Sequence, residues 1–347
     1  MQETRIVLRN VGKYNPRSLA EFCALGGYTG LKKALTMSPR AIVDAIKESG
    51  LRGRGGAAFS TGIKWEMISG ISADQKYVVC NADEGEPATN KDRVIMAGDP
   101  HSLVEGMVIA GYAVGANKGY IYLRYEYPYL FPVLEQVIAD AKAAGFLGEH
   151  ICGSDFSFEL TVVSGGGAYV CGEETAMLES IEGKRGEPRY KPPYPSVFGL
   201  YEKPTLINNV ETLVNVPAIV NNGAQWYASF GLNGAVGTKV FTLSGNLVNR
   251  CVCEYPKGIS LHTLIYEVGG GCPNGRKVLG VQTGGASGNI INSDMLDIPM
   301  SIKGCAENGA TFGAGDIMVF DDSNDVLDIV ENLMEFFTHE SCGKCTP

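Results

Sequence analysis

Four short stretches of the sequence concentrate residue types able to do chemistry. The first is Gly53-Arg54-Gly55-Gly56-Ala57-Ala58-Phe59-Ser60-Thr61-Gly62-Ile63-Lys64-Trp65. Its small residues let backbone N–H groups close on an anion, and Arg54 and Lys64 add positive charge, so it reads as a phosphate nest. It lacks both the Gly-Lys-Ser/Thr ending of a P-loop and the G-x-G-x-x-G of a dinucleotide turn. An ordinary Gly turn with a solvated arginine is the plainer reading. The second, Asn81-Ala82-Asp83-Glu84-Gly85-Glu86-Pro87, packs three carboxylates into four residues. These would repel a phosphate and suit hydroxyl, ring N–H or amide donors; a solvated acidic turn is the alternative. The third is Gly165-Gly166-Gly167-Ala168-Tyr169-Val170-Cys171-Gly172-Glu173-Glu174. A helix start attracts anions, but Glu173 and Glu174 already occupy this one. It suits a neutral or cationic group such as a ribose or a nicotinamide, or it is simply a capped helix. The fourth is Cys342-Gly343-Lys344-Cys345, whose spacing fits a zinc ribbon, a redox pair or an iron–sulfur site.

These residues need elements to position them. Strands are expected at 77–80, 120–123 and 158–163, and helices at 101–116, 129–144, from near 172, from 208–212 and over 325–339. The last carries Val326, Ile329, Val330, Leu333 and Phe337 on one face. Residues 1–50 read as helical. Within them Ser38 caps a helix with Pro39 at its first position, Ile42, Val43 and Ile46 on its apolar face and Gly50 at its end. Strand alternating with helix argues for an α/β sheet with crossovers, and ligands bind at the carboxyl ends of such strands. Residues 184–204, with five Pro and three Tyr, read as an irregular functional loop. A glycine-rich shift at 231–239 precedes a small β-rich region reaching about residue 320. The expected segments are 1–70, 71–237, 238–322 and 323–347.

Composition narrows the function. At ~150 residues per domain, 347 residues make two or three domains. Glycine supplies 45 of them without a Gly-X-Y period, which excludes collagen, and 45% hydrophobic against 19% charged residues excludes a disordered chain. A net charge of −9 argues against nucleic acid or an anionic membrane as partner. No apolar run approaches the ~20 residues of a membrane span, and the first residues lack the order of a signal peptide, so no membrane insertion and a cytoplasmic location are expected. Ten Cys without a secretory signal do not read as a disulfide framework, and four unpaired His do not make a metal site. No catalytic triad or acid–base pair stands out. Three loops at strand–helix junctions converge instead on a nucleotide-type cofactor pocket in which the cofactor does the chemistry.

Taken in order, these motifs, with Lys191-Pro192-Pro193-Tyr194-Pro195 and Asn208-Asn209-Val210-Glu211-Thr212, resemble one family. It is the NADH-binding flavoprotein subunit of respiratory complex I, with the corresponding subunits of NAD-linked hydrogenases, formate dehydrogenases and electron-bifurcating complexes. The resemblance spans nearly the whole chain. It implies a Rossmann-like FMN-binding domain, an SLBB domain of the ubiquitin-like β-grasp type and the start of a C-terminal helical bundle. FMN would contact Gly53, Arg54, Gly55, Gly56, Lys64, Asn81, Asp83, Glu84, Gly172, Glu173, Asn208, Asn209 and Thr212. NADH would contact Phe59, Glu86, Tyr169, Glu174, Lys191 and Tyr194. Cys342 and Cys345 would be two of four ligands of a 4Fe–4S cluster. The implied activity is hydride transfer between NADH and FMN followed by single-electron transfer to that cluster. The implied partners are a thioredoxin-like 2Fe–2S subunit and a further iron–sulfur or catalytic subunit.

The sequence departs from the family pattern in three respects. Ala58 stands where Gly is usual and Ser60 where Pro is usual. Met67 and Tyr194 stand where Phe is frequent, at positions bordering the adenine. The third cysteine of C-x-x-C-x-x-C would fall after Pro347, so the sequence reads as a fragment. A competing function of another class is a nucleotide-binding or assembly module that keeps the fold without turnover. A zinc hydrolase would need a base and ligands that the sequence does not offer.

Overall fold

The computed structural model describes residues 2–345. Its N-terminal part carries helices α1 (Leu19–Ala24), α2 (Thr29–Ala34), α3 (Pro39–Glu48) and α4 (Thr61–Ser69). The Ser38 hydroxyl accepts from the Ala41 N–H, Pro39 sits in the first turn, and Ile42, Val43 and Ile46 are buried. Residues 2–18 depart from the helical expectation and form turns. The reason lies far along the chain: the N–H groups of Ile6, Val7 and Leu8 donate to the Glu254 carboxylate at 2.9–3.1 Å. Backbone donors satisfied by a tertiary carboxylate have no need of a helix.

The α/β region runs β1 (Tyr77–Ala82), α5 (Lys91–Gly98), α6 (Pro100–Val114), β2 (Lys118–Leu123), α7 (Phe131–Ala143), β3 (Glu159–Ser164), α8 (Glu174–Ile181), β4 (Thr205–Asn209), α9 (Val210–Asn222) and α10 (Ala224–Ala228). The four strands form one parallel sheet in the order β3-β2-β1-β4. Parallel sheets are covered on both faces, and here the alternation along β1 divides the two covers. Val78 and Cys80 join the main core with Ile121, Leu206 and α6, whereas Tyr77 and Val79 join a smaller cluster with Tyr122, Ile207, Met177 and Leu178. Strand β4 lies where the sequence predicts only loop and helix start. Its apolar centre is just Leu206 and Ile207, too short a run to read as a strand, and pairing with β1 defines it. Helix α6 is buried almost all round. It packs against α9 so closely that a Cβ on Gly106 would lie 2.3 Å from the Leu213 carbonyl oxygen.

The second region has five strands: β5 (Thr238–Gly245), β6 (Cys251–Pro256), β7 (Val278–Thr283), β8 (Asn289–Asn292) and β9 (Asp316–Asp321), with α11 (Ile302–Glu307) before β9. Their order is β6-β5-β9-β7-β8, with β5 parallel to β9 and the other neighbours antiparallel. Phe241, Leu243, Leu264, Val281, Met300 and Ile317 form its own core. Helix α12 (Val326–Glu340) starts at Asp325, whose side chain accepts from the Leu327 N–H. Its expected apolar face is only partly covered: Val326 and Val330 are exposed and no residue of α12 is fully buried.

Candidate functional site

A cavity of about 690 Å³ opens outside the carboxyl ends of β1 and β4, the place where open α/β sheets bind ligands. Of the residues singled out from the sequence, it brings together Gly55, Asn81, Asp83, Glu84, Glu86, Tyr169, Gly172, Glu173, Asn209, Cys342 and Cys345. Asn81 ties two of the loops, its amide donating to the Gly172 carbonyl at 2.8 Å while its side-chain oxygen accepts from the Asp83 N–H at 3.1 Å. Asp83 is buried, and its Oδ2 has no hydrogen-bond partner. Burial pushes its pKa up to about 7, against the pull of Arg124.

The other acids are already engaged. Glu84 accepts from the N–H groups of Asp92 and Arg93 at the start of α5 and from the Tyr127 hydroxyl, at 2.8–3.2 Å. Burial and the Asp92 charge raise it to about 7. Glu86 accepts from the Tyr169 hydroxyl at 2.8 Å and from the Ala286 N–H at 2.5 Å. It thereby joins the acidic loop to the turn between β7 and β8. Gly285 in that turn has φ +84°, and a Cβ there would lie 2.1 Å from Glu86. Glu173 caps α8 by accepting from the N–H groups of Thr175 and Ala176, and it pairs with Lys191 at 2.8 Å. Burial would raise its pKa, but Lys191 and the cap bonds hold it below the ordinary value. Lys191 also pairs with Glu174 at 2.9 Å, and Lys64 reaches Glu174 at 3.5 Å.

Several expected residues lie behind the cavity wall. The Arg54 side chain is buried away from it. Its guanidinium donates to the Tyr227 hydroxyl at 2.7 Å and the Thr238 carbonyl at 2.9 Å and lies 3.8 Å from Glu211, while its backbone N–H donates to Thr212 Oγ1. Thr212 is thus a support for the glycine loop. Asn208 accepts from the Trp65 indole at 2.8 Å and faces α4. Lys64 donates to the Ile207 carbonyl. Gly53 closes the loop with its N–H on the Phe59 carbonyl, and Gly56 takes φ +133°. Ala58 takes a left-handed φ of 51°. Phe59 and Tyr194 present exposed rings.

The structure adds residues that sequence reasoning misses. Lys91, 1% exposed, lines the cavity and contacts Asp92 at 2.7 Å, Asn209 at 3.1 Å and Glu211 at 3.2 Å. Burial alone would discharge it, but Asp92, Glu211 and Glu84 hold it protonated. Asn209 caps α9 through the Glu211 N–H and donates to Asp92 at 2.7 Å. Glu211, fully buried, meets Lys239 at 2.5 Å in addition to Lys91 and Arg54, and accepts from the Val240 N–H. The one sequence signal for Lys91 is its place four residues after the acidic loop at a helix start; nothing local marks Glu211. Phe337 and Glu340 close the cavity from α12, with Glu340 accepting from the Tyr169 N–H at 2.8 Å.

The parallel sheet, its carboxyl-end cavity and a small-residue loop backed by buried cations define a nucleotide-cofactor-binding α/β protein. Residues 46–218 match the family model described as the Nuo51 FMN-binding domain. The chain is 49% identical over 346 residues to the NADP-reducing hydrogenase subunit HndC of Solidesulfovibrio fructosivorans, covering 100% of this chain and 70% of that one. It is 48% identical to the F 2 subunit of the NADH-quinone oxidoreductase of Rhizobium meliloti (strain 1021), covering 99% and 82%. A crystal structure of an H2-reduced NAD+-reducing NiFe hydrogenase superposes with a TM-score of 0.83 at 39% identity. That match covers 99% of this chain, which spans 56% of the hydrogenase chain. The chain belongs to this Nuo51-type FMN-binding family of oxidoreductase subunits.

Proposed function

We propose that the chain binds FMN and NAD(H) in the one cavity and oxidises NADH, or reduces NAD+, within a larger complex. The observation that carries the reading is the meeting of the glycine loop, the acidic loop after β1 and Asn209 after β4 around one volume. That volume falls in the ~300–1,000 Å³ range of small-molecule sites. The residues present fit FMN. Asp83 offers an unpaired carboxyl oxygen to a ring N–H or a ribityl hydroxyl, and a side chain at Gly55 would press on Asn209 at 3.1 Å. FMN, when bound, accepts a hydride from the nicotinamide and passes electrons on singly.

The chain supplies position and charge. Gly55, Asn81, Asp83, Gly172 and Asn209 would hold the flavin, with Lys91 in the wall and Arg54 behind it lending positive potential. Glu86 and Tyr169 would border the nicotinamide, and Glu173, Glu174 and Lys191 the outer nucleotide, with Phe59 and Tyr194 as stacking surfaces. No general acid or base is required, since a hydride carries its own electron pair.

Cys342 and Cys345 both line the cavity mouth, but two thiolates do not complete a 4Fe–4S site. No group of three or more His, Cys, Asp or Glu suited to a metal occurs among the described residues. A thioredoxin-like 2Fe–2S subunit and a further iron–sulfur or catalytic subunit are the proposed partners, in a cytoplasmic location. No helix among the described residues is long and apolar enough to cross a membrane. For the second region, the strand order, the parallel β5–β9 pair and the helical turn over residues 263–268 between β6 and β7 support a β-grasp domain. The two cores meet at β5, where Val240 belongs to the first and Phe241 to the second, which supports a boundary near residue 238.

An anaerobic visible spectrum tests the function. Flavin bands that bleach on adding NADH are expected. A purified chain that stays colourless after incubation with FMN, or keeps its flavin oxidised under NADH, would leave only the non-catalytic module.

A further inference from the structure

Tyr169 opens a single 3-10 turn, Tyr169–Gly172, that follows the glycine run after β3. The first N–H groups of a helical turn have no acceptor within it. The residues just before, Gly165-Gly166-Gly167-Ala168, carry no side chain that could accept. The acceptor comes from 171 residues further on: Oε2 of Glu340, the last residue of α12, accepts from the Tyr169 N–H at 2.8 Å. Oε1 of Glu340 lies 3.3 Å from Nδ1 of the exposed His339. The Tyr169 ring is held as well. Phe336, one turn earlier on α12, meets it edge-on with ring centroids 5.1 Å apart. Gly85 lies so close that a Cβ there would be 3.2 Å from Tyr169 Cδ2. The Tyr169 hydroxyl then donates to Glu86 at 2.8 Å. We propose that Glu340 is a positioning residue that acts through Tyr169: it holds the Tyr169 backbone where the hydroxyl meets Glu86, and so sets the affinity for the nicotinamide nucleotide.

This role rests on the nucleotide reading of the cavity given above. The segment that carries Glu340 is itself tied down on its other side. The Arg185 guanidinium donates to the Cys342 carbonyl at 3.0 Å, and Lys344 pairs with Glu187 at 3.2 Å and stands 5.4 Å over the Tyr190 ring. Glu340 therefore offers its oxygen from a fixed place. The far end of the 3-10 turn has anchors of its own: the Gly172 carbonyl accepts from Asn81, and Glu173 caps α8. Losing the Glu340 oxygen thus frees the nicotinamide side of the turn and leaves the flavin side in place. What the position requires is an acceptor. Alanine removes it, whereas the glutamine carbonyl keeps it. A charged hydrogen bond is worth about tenfold in an equilibrium, and a neutral one has about half that energy, or about threefold.

The whole chain, loaded with FMN, is titrated with NAD+, which leaves an oxidised flavin unreduced; FMN binding is measured separately. Glu340→Ala should raise the NAD+ Kd about tenfold and shift the FMN Kd by less than about twofold. Glu340→Gln should stay within about threefold of wild type for both. In turnover of NADH with ferricyanide, Glu340→Ala should raise KM while kcat stays within about twofold. Tyr169→Phe removes the hydroxyl through which Glu340 acts, so in that background Glu340→Ala should cost less than about threefold. Hydrogen exchange reads the contact directly: the Tyr169 amide should exchange about tenfold faster in Glu340→Ala than in wild type. Glu340→Leu, which has bulk but no acceptor, should match alanine and replaces it if alanine lowers the melting temperature. Equal losses of NAD+ and FMN, a glutamine variant as weak as alanine, or a full tenfold loss in the Tyr169→Phe background would overturn the assignment. A wild-type chain that loads FMN but binds no NAD+ would overturn the nucleotide reading itself. NAD+ bound equally well by wild type and Glu340→Ala would overturn the role of Glu340 alone.

Discussion

Glu211→Gln tests the buried charge cluster behind the cavity. Three cations surround this one carboxylate: Lys239 at 2.5 Å, Lys91 at 3.2 Å and Arg54 at 3.8 Å, all buried. Burial would raise the Glu211 pKa, but Lys239, Lys91 and Arg54 together hold it below the ordinary value. Burial lowers Lys239 to about 8, aided by repulsion from Lys91 and Arg54 and opposed by Glu211. The two shifts pull opposite ways, and the geometry favours an ionised Glu211, since it has three cations within 3.8 Å whereas Lys239 pairs with Glu211 and feels Asp316 only from further off. Glutamine keeps the shape and removes the charge. Leaving buried cations unpaired costs about 3–5 kcal/mol, or ~6–10 °C in Tm at ~2 °C per kcal/mol for a chain of this size. The pH dependence carries the sharper sign. A lysine whose folded pKa lies below its unfolded value binds fewer protons folded than unfolded between the two. Stability therefore rises with pH across that window. In Glu211→Gln the Lys239 pKa falls further, the window widens, and the deficit against wild type should shrink from pH 7 to pH 9. Differential scanning fluorimetry at both pH values reads it. A Tm loss under ~2 °C at pH 7, or a deficit that grows toward pH 9, would refute the reasoning.

Three other outcomes are expected. Asp83 has a folded pKa raised to about 7, so its ionisation costs stability as pH rises from ~4 through 7. Asp83→Asn should match wild-type Tm at pH 4, exceed it by ~8 °C at pH 8, the worth of a pKa raised by ~3 at ~1.4 kcal/mol per pH unit, and retain FMN less well by flavin fluorescence. Gly285→Ala puts a side chain on a φ of +84° and into Glu86; it should lower stability by ~1 kcal/mol or more and raise the KM for NADH more than it lowers kcat. Lys91→Met removes the cation lining the cavity beside Asn209 and should weaken FMN binding by ~10-fold or more, about the 1.4 kcal/mol of one charged hydrogen bond. Equilibrium dialysis with an unchanged Kd would show that Lys91 serves the cluster alone.

What the sequence makes legible follows from how local each signal is. Ser38-Pro39 announces α3 because a cap and its N–H partner are three residues apart. The strands β1, β2 and β3 show as apolar runs, and the acidic loop after β1 falls at the cavity because the end of a parallel strand is where a doubly covered sheet opens. Strand β4 is hidden because its identity rests on β1, more than 120 residues earlier. Residues 2–18 mislead because Glu254 supplies their acceptor. Arg54 shows the same limit at the site. Its type and glycine neighbours suggest a phosphate ligand, but Tyr227, Thr238 and Glu211 claim its side chain, and none is close in sequence. A buried Lys91 cannot be told from a solvated one without its partners.

The chain has two cores and a glycine-rich seam at 231–239, which looks like a natural point of exchange between related genes. The contacts across the seam say otherwise. Glu211 pairs with Lys239, Arg54 donates to Thr238, Glu86 accepts from Ala286, and Glu254 holds the backbone of residues 6–8. A recombinant joined at residue 238 from two diverged parents would set the Glu211–Lys239 pair at risk and would need Arg54, Glu86 and Glu254 each to find a backbone group of the other parent in the same place. Residues 3–321 should therefore be inherited as one block, and viable chimeras should carry their crossovers after β9 rather than at the visible seam.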